Sequence, residues 1–157
     1  MKPFWVMAAA VFGADRLVKL WAQARLAPGG WVQGIEGVFR WVYAENTGAA
    51  FSFMADQSWI HYLITPIFFV VGWLLLRSWR LGLWPRLCLG AIVGGALGNY
   101  ADRLLYGYVI DMIDVTFMRF AVFNLADVAI CLGGGLLAVS LVLRNNDWRH
   151  TNDGKTD

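Results

Sequence analysis

Residues 59–76 read WIHYLITPIFFVVGWLLL, from Trp59 to Leu76, eighteen positions without one formal charge. A bilayer-crossing helix needs about 20 mainly apolar residues, so this stretch predicts a membrane span, and the rest of the chain is read from it. Upstream, a segment at about 4–22 is apolar as far as Ala14, after which Asp15, Arg16 and Lys19 intrude. Downstream, segments at about 86–105 and 122–143 qualify, the second interrupted only by Asp127. The whole chain of 157 residues is 59% hydrophobic and 15% charged, with a mean hydropathy of +0.52. Soluble domains are about 45–50% apolar and about 25% charged, so most of this surface faces something other than water. The expected fold is an all-α membrane protein of four transmembrane helices, organised as one domain over residues 1–157.

Lys2, the short apolar run and Ala22-Gln23-Ala24 together mimic a secretory signal. Three charges between the apolar run and that site argue instead for a retained first helix. Orientation follows the basic residues of short loops. Arg77, Arg80 and Arg86 lie between the second and third segments without an acid, and Arg144, Arg149 and Lys155 follow the fourth. Both regions, the second being the tail 144–157, are expected in the cytoplasm, with both termini inside. Eight of the eleven acids then fall on the opposite side.

The connection at about 25–58 is different in kind. Glycines punctuate runs such as Val38-Phe39-Arg40-Trp41-Val42-Tyr43, whose β-branched and aromatic content predicts strands. A small extracytoplasmic β-sheet with its loops is expected there, between the first two helices, with Trp31, Phe39 and Trp41 toward the membrane interface. The net charge of +2 marks no nucleic-acid surface. Cys88 and Cys131 sit in apolar runs and read as packing residues.

Ionisable groups in membrane helices are expensive and point to function. In this orientation Asp15 and Lys19, Asn99 with Asp102 and Arg103, and Asn124 with Asp127 all come near the outer leaflet, and Asp111 sits in the short loop before the last span. Their spacings of three or four put each set on one helix face. His61 and His150 have no acid or cysteine at ligand spacing, which argues against a metal hydrolase. No serine sits in a Gly-x-Ser-x-Gly elbow. Carboxylates remain: two held close together share a proton and serve as general base and general acid toward water. Asp111 and Asp127 suit such a pair, but Asp114, three residues on, competes with Asp111, and spacing does not decide between them. A proton-coupled four-helix transporter with Asp127 as its protonatable site is the rival reading; such proteins place one carboxylate near mid-membrane rather than many polar groups at one surface.

Four ordered blocks resemble the lipoprotein signal peptidases, or signal peptidase II. They are Asp15-Arg16-Leu17-Val18-Lys19; Asn46-Thr47-Gly48-Ala49-Ala50-Phe51; Gly94 to Arg103 followed by Gly107-Tyr108-Val109-Ile110-Asp111; and Phe123-Asn124-Leu125-Ala126-Asp127. The resemblance implies an aspartyl endopeptidase of the bacterial inner membrane, without cofactor. It would cut prolipoproteins on the amino side of a diacylglyceryl-modified cysteine, and the cyclic peptide globomycin would inhibit it. It implies Asp111 and Asp127 as the catalytic dyad, with Asp15, Lys19, Asn46, Gly48, Asn99, Asp102, Arg103 and Asn124 supporting the site or binding substrate. The site would face the periplasmic leaflet, and a monomer would suffice. Val128 and Met112 depart from residues common in the family. Gly90, Gly94 and Gly98, and in the last helix Gly133-Gly134-Gly135, predict close helix contacts.

Overall fold

The computed structural model describes residues 1–26, 29–48, 59–76, 79–143 and 148–150. Four helices carry the chain: α1 (Lys2–Leu26), α2 (Trp59–Leu76), α3 (Leu83–Tyr106) and α4 (Leu125–Leu143). Among the described residues, α4 is the one helix that is both long and apolar enough to cross a membrane, with 19 residues and a hydropathy of 2.1. The expected segment at 49–51 of the Asn46–Phe51 block, and most of the tail, lie outside the described residues.

The central helix is α3, which packs against both α1 and α4. Its glycines set those distances. A methyl group on Gly90 would come within 2.5 Å of the Phe4 carbonyl, and one on Gly95 within 2.6 Å of the Ala126 carbonyl. Backbone therefore approaches backbone directly, as small residues allow. In α4, Gly133 sits against Ile92 and Cys88, whereas Gly134 and Gly135 have nothing within 4 Å. The expected close face of three glycines is thus one glycine.

The sheet has a different composition from the one expected. Strands β1 (Trp31–Ile35) and β2 (Phe39–Asn46) form the antiparallel hairpin that the 25–58 region predicts. Its third strand, β4 (Val109–Val115), comes from beyond α3 and pairs with β2, in the order β1-β2-β4. The sheet is therefore not confined to the first connection, and Asp111 lies in a strand, not a loop. The reason is burial: Val109, Ile110, Asp111 and Met112 are all buried, so this strand is covered on both faces and shows no apolar alternation for a sequence reading to catch. Ile110 and Met112 pack on Ala22 and Leu26 at the end of α1, with Trp41 and Tyr43 beside them. That small core locks the sheet onto the helices at one end of the molecule.

At the opposite end, β3 (Trp79–Leu81) pairs with β5 (Trp148–His150), a two-stranded ribbon between the segments that the sequence reads as the loop after the second helix and the tail.

The last helix begins at Leu125, three residues after the predicted start, because Asn124 caps it. Asn124 Oδ1 accepts from the Asp127 N–H at 2.9 Å, and the Asn124 N–H donates to Asp127 Oδ2 at 3.2 Å. This reciprocal pair is a capping box, which satisfies two of the unpaired donors around a helix start.

Candidate active site

The capping box aims Asp127 at the end of the sheet, where β4 presents Asp111. Asn124 ties the two together. Its side-chain nitrogen donates to Asp111 Oδ1 at 2.6 Å and to Asn99 Oδ1 at 3.1 Å, while its backbone N–H and Oδ1 hold Asp127. Asp111 also accepts from Asn46 Nδ2 at 2.9 Å, across the β2–β4 pair, and Asp127 accepts from Asn99 Nδ2 at 2.7 Å. Each carboxylate thus has two amide donors and shares one of its neighbours with the other.

Asp114 lies elsewhere. Three residues along a strand change face, and Asp114 accepts from Arg40 Nε at 2.7 Å in a partly exposed ion pair on the sheet.

The carboxyl of Asp111 is raised to about 6, chiefly because burial disfavours its charge; the Asn46 and Asn124 hydrogen bonds pull it down, the Asp127 charge pushes it up and Lys19 pulls it down. This is a carboxyl poised to hold a proton near neutral pH, the property general acid–base chemistry requires.

Behind the pair lies a dry ionic cluster. Lys19 Nζ lies 2.9 Å from Asp15 Oδ2 and 2.7 Å from Asp102 Oδ2, all three side chains with no solvent exposure. Arg16 also pairs with Asp102 and sits over the Tyr106 ring at 6.0 Å. Two acids against two bases make the cluster neutral overall, the condition under which buried charge is tolerated. Its carboxylates also reach the backbone that carries the carboxylate pair: Asp15 Oδ1 accepts from the Ala126 N–H at 3.0 Å, and Asp102 Oδ2, already on Lys19, accepts from the Ile110 N–H at 3.1 Å as well. These are the residues immediately before Asp127 and Asp111.

Lys19 has a further role through Asn99. It donates to Asn99 Oδ1 at 2.9 Å. An ammonium only donates, so it fixes which end of the Asn99 amide turns toward Lys19, leaving the nitrogen to face Asp127.

Of the residues expected at the site, Asp15, Lys19, Asn46, Asn99, Asp102 and Asn124 are joined to Asp111 and Asp127 in one hydrogen-bonded network. Gly48 stands one step back: at a left-handed φ of 97°, its N–H donates to Asn46 Oδ1 at 2.8 Å and so orients that amide toward Asp111. Arg103 Nη1 donates to the Asn99 carbonyl at 3.3 Å, one turn back along α3. Arg16, which is not among the residues expected at the site, joins the cluster through Asp102. Its place three residues before Lys19, on a neighbouring part of the same helix face, was the available signal.

Two solved structures share this fold. One is a bacterial membrane enzyme determined by the in meso method at 1.9 Å resolution, with a TM-score of 0.82 at 24% identity over 92% of this chain and 95% of that one. The second, solved by the same method at 2.3 Å, has a TM-score of 0.82 at 23% identity over 100% and 94%. This chain therefore has the fold of those two solved proteins.

Sequence relatives specify which kind. The lipoprotein signal peptidase of Trichormus variabilis is 36% identical over 148 residues, 94% of each chain. That of Streptococcus thermophilus is 35% identical over 90% of this chain and 93% of its own. That of Thermosynechococcus vestitus is 41% identical over 83% and 85%. Residues 7–143 match the family profile described as Signal peptidase (SPase) II, and the chain belongs to that family. It is a peptidase of the bacterial inner membrane, which disfavours the transporter reading.

Proposed function

We propose that the protein removes signal peptides from prolipoproteins, cleaving on the amino side of a diacylglyceryl-modified cysteine, with Asp111 and Asp127 as an aspartyl dyad. The observation that carries this reading is the single Asn124 side chain and backbone holding both carboxylates at once, one of them with a raised proton affinity.

In this mechanism Asp127 takes a proton from water as the water oxygen attacks the scissile carbonyl carbon, and Asp111 gives its proton to the carbonyl oxygen. The resulting gem-diol collapses, the C–N bond breaks, the hydroxyl proton returns to Asp111 and Asp127 passes its proton to the leaving amine of the cysteine. The pair ends with the one shared proton it began with. Asn46, Asn99 and Asn124 keep the carboxylates aligned throughout, which is how preorganised donors lower a barrier. The ionic cluster of Asp15, Arg16, Lys19 and Asp102 anchors the backbone of both strand and helix.

The proposal places all four helices across the bilayer, with both termini in the cytoplasm and the three-stranded sheet at the periplasmic surface. A lipidated signal helix then approaches sideways through the membrane and meets the dyad at the outer leaflet. Arg103 and the Asn46–Gly48 turn line the substrate's path. Globomycin is expected to compete for the same cleft, and one protomer suffices.

The test is cleavage of a lipidated prolipoprotein by detergent-solubilised protein. Asp111→Asn and Asp127→Asn should each fall by at least about a thousand-fold, within the range of general acid–base contributions, while Asp114→Asn, with only a partly exposed ion pair on the sheet to lose, should cleave like the parent. An inactive Asp114→Asn beside an active Asp111→Asn would overturn the dyad. Proton transport by the parent into liposomes without cleavage would overturn the activity.

A further inference from the structure

In the three-stranded sheet, the pairing of β2 with β4 is not continuous. Phe39, Arg40 and Trp41 stand opposite Val115, Asp114 and Ile113, whereas Ala44, Glu45 and Asn46 stand opposite Asp111, Ile110 and Val109. Val42 and Tyr43 of β2 therefore occupy the stretch that β4 crosses with Met112 alone, which is a β-bulge of one extra residue. Side chains alternate along a strand, so one inserted residue exchanges the faces of all that follow. With the bulge, Asp111 lies directly opposite Ala44, and Asn46, two positions on, shares its face and donates to it at 2.9 Å. Had the register of Phe39–Trp41 continued, Asp111 would stand opposite Tyr43, and Glu45 would be its diagonal neighbour on the same face. The bulge thus puts an amide donor beside the buried carboxyl where an unbroken ladder would put a second carboxylate.

The bulge is held through Tyr43. Val42 still pairs with Trp31 of β1, but Tyr43 enters neither register among the described residues. Its hydroxyl meets two groups instead, Glu45 Oε1 at 3.2 Å and the Tyr108 hydroxyl at 3.2 Å. A carboxylate only accepts, so Tyr43 donates to Glu45 and Tyr108 donates to Tyr43. Tyr108 directly precedes β4, and both tyrosines pack on the small core of Ala22, Leu26, Ile110 and Met112. Tyr108 also stacks on Tyr106 at the end of α3, with ring centroids 5.9 Å apart. The extra residue of β2 is in this way tied to the start of β4, on the face of the sheet away from Asp111.

We infer that Tyr43 and Tyr108 are positioning residues for the peptidase reaction: their hydroxyl contact holds the β2 bulge, and the bulge presents Asn46 to Asp111. Neither hydroxyl lies on the face where the chemistry occurs. Without the tie, β2 is free to relax toward the register of its first half, in which Asn46 turns from Asp111. The inference rests on the proposed dyad and adds what keeps one of its amide donors in place.

The test is the pH profile of prolipoprotein cleavage by the full-length protein in detergent. Tyr43→Phe removes both hydroxyl contacts and keeps the ring in the core. With Asn46 displaced, kcat should fall by roughly 10- to 100-fold, up to the cost of a misplacement of about 1 Å, while KM stays near the parent's because ground-state contacts with substrate are untouched. Asp111 must carry its proton to give it to the scissile carbonyl, so cleavage fails as the pH rises through its proton affinity. Asp127 of α4 pushes that affinity up and Lys19 of α1 pulls it down, and neither changes in the variant; loss of the Asn46 donor raises it. The alkaline limb of kcat/KM should therefore move up by about one pH unit, the scale of one hydrogen bond to a charged group. A change that merely loosens the sheet lowers the melting midpoint and leaves this limb in place. Tyr108→Phe, which leaves Tyr43 its bond to Glu45, should move both readouts the same way and by less. Asn46→Ala should reproduce the shifted limb, and adding Tyr43→Phe to it should cost less than about two-fold more, because residues acting through one contact are not additive. Tyr43→Phe with the parent's kcat and limb would overturn the inference, as would a lowered kcat with the limb unmoved, or an equal loss in the parent and in Asn46→Ala. Asp111→Asn, measured alongside, separates the two readings. If it cleaves normally, the dyad falls; if it is inactive while Tyr43→Phe matches the parent, only the positioning role falls.

Discussion

Replacing Lys19 by methionine keeps the length of the side chain and removes its charge, and the structure makes the consequence calculable. The ammonium is fully buried, with Asp15 at 2.9 Å, Asp102 at 2.7 Å and Asn99 Oδ1 at 2.9 Å. Without it, two buried carboxylates face Arg16 alone. Removing one partner of a buried ion pair is destabilising by about 3–5 kcal/mol, and for a chain of this size each kcal/mol shifts the midpoint by about 2–4 °C. Lys19→Met should therefore melt about 6–20 °C below the parent. Tryptophan fluorescence during heating in detergent measures this, at one fixed scan rate because membrane proteins commonly unfold irreversibly. Adding Asp15→Asn restores neutrality while keeping an oxygen for the Ala126 N–H, so the double variant should regain at least half of the lost stability. It should not regain full activity, because nothing then fixes the Asn99 amide toward Asp127. A single variant that melts within about 2 °C of the parent, below the smallest shift expected, would refute the buried-cluster reasoning. So would a double variant less stable than the single.

Asp111 adds a pH dependence with a definite sign. Its carboxyl is raised from an ordinary 3.8 to about 6, so between those values the folded protein holds a proton that the unfolded chain has lost. The contribution is full below about pH 4 and is lost as the pH rises through 6, by on the order of 3 kcal/mol. Denaturation of Asp111→Asn should lack that slope. Gly95→Ala places a methyl 2.6 Å from the Ala126 carbonyl and should destabilise by about 1–3 kcal/mol while slowing cleavage, since Ala126 adjoins Asp127; Gly134→Ala, with nothing within 4 Å, should stabilise by about 0.5–1 kcal/mol and leave cleavage unchanged. Asn124→Ala removes the helix cap, about 1 kcal/mol, and the bridge between the carboxylates, so activity should fall far more than the midpoint does.

The membrane character and helical segments were legible because a long uncharged run such as Trp59–Leu76 admits few other readings. The β1–β2 hairpin was legible from its glycines and aromatic residues. The third strand was not: Val109–Val115 is buried on both sides through Met112, so its pattern has no period, and partnership with β2 is a long-range fact. For the same reason spacing could not separate Asp111 from Asp114. Pairing with β2 does so, sending one toward Asn124 and the other toward Arg40. Asn124 and Asp127 were visible as a pair at helical spacing, but as a shared helix face. Asn-x-x-Asp ahead of an apolar run is also the mark of a capping box, and that reading would have placed the helix start correctly. The ribbon of β3 and β5 joins segments nearly seventy residues apart along the chain, with too few residues in each strand to show periodicity.

The capping box gives Asp127 two occupations, and its neighbour Ala126 is bound to Asp15, 111 residues earlier. Asp111 waits on a strand that needs β2 beside it. During synthesis, therefore, neither carboxylate has its partner until the last helix has wound its first turn and docked against the first. If Asp111 and Asp127 form the proposed dyad, competence to cleave begins only with the last piece of the protein's own assembly, when α4 docks against α1 and α3.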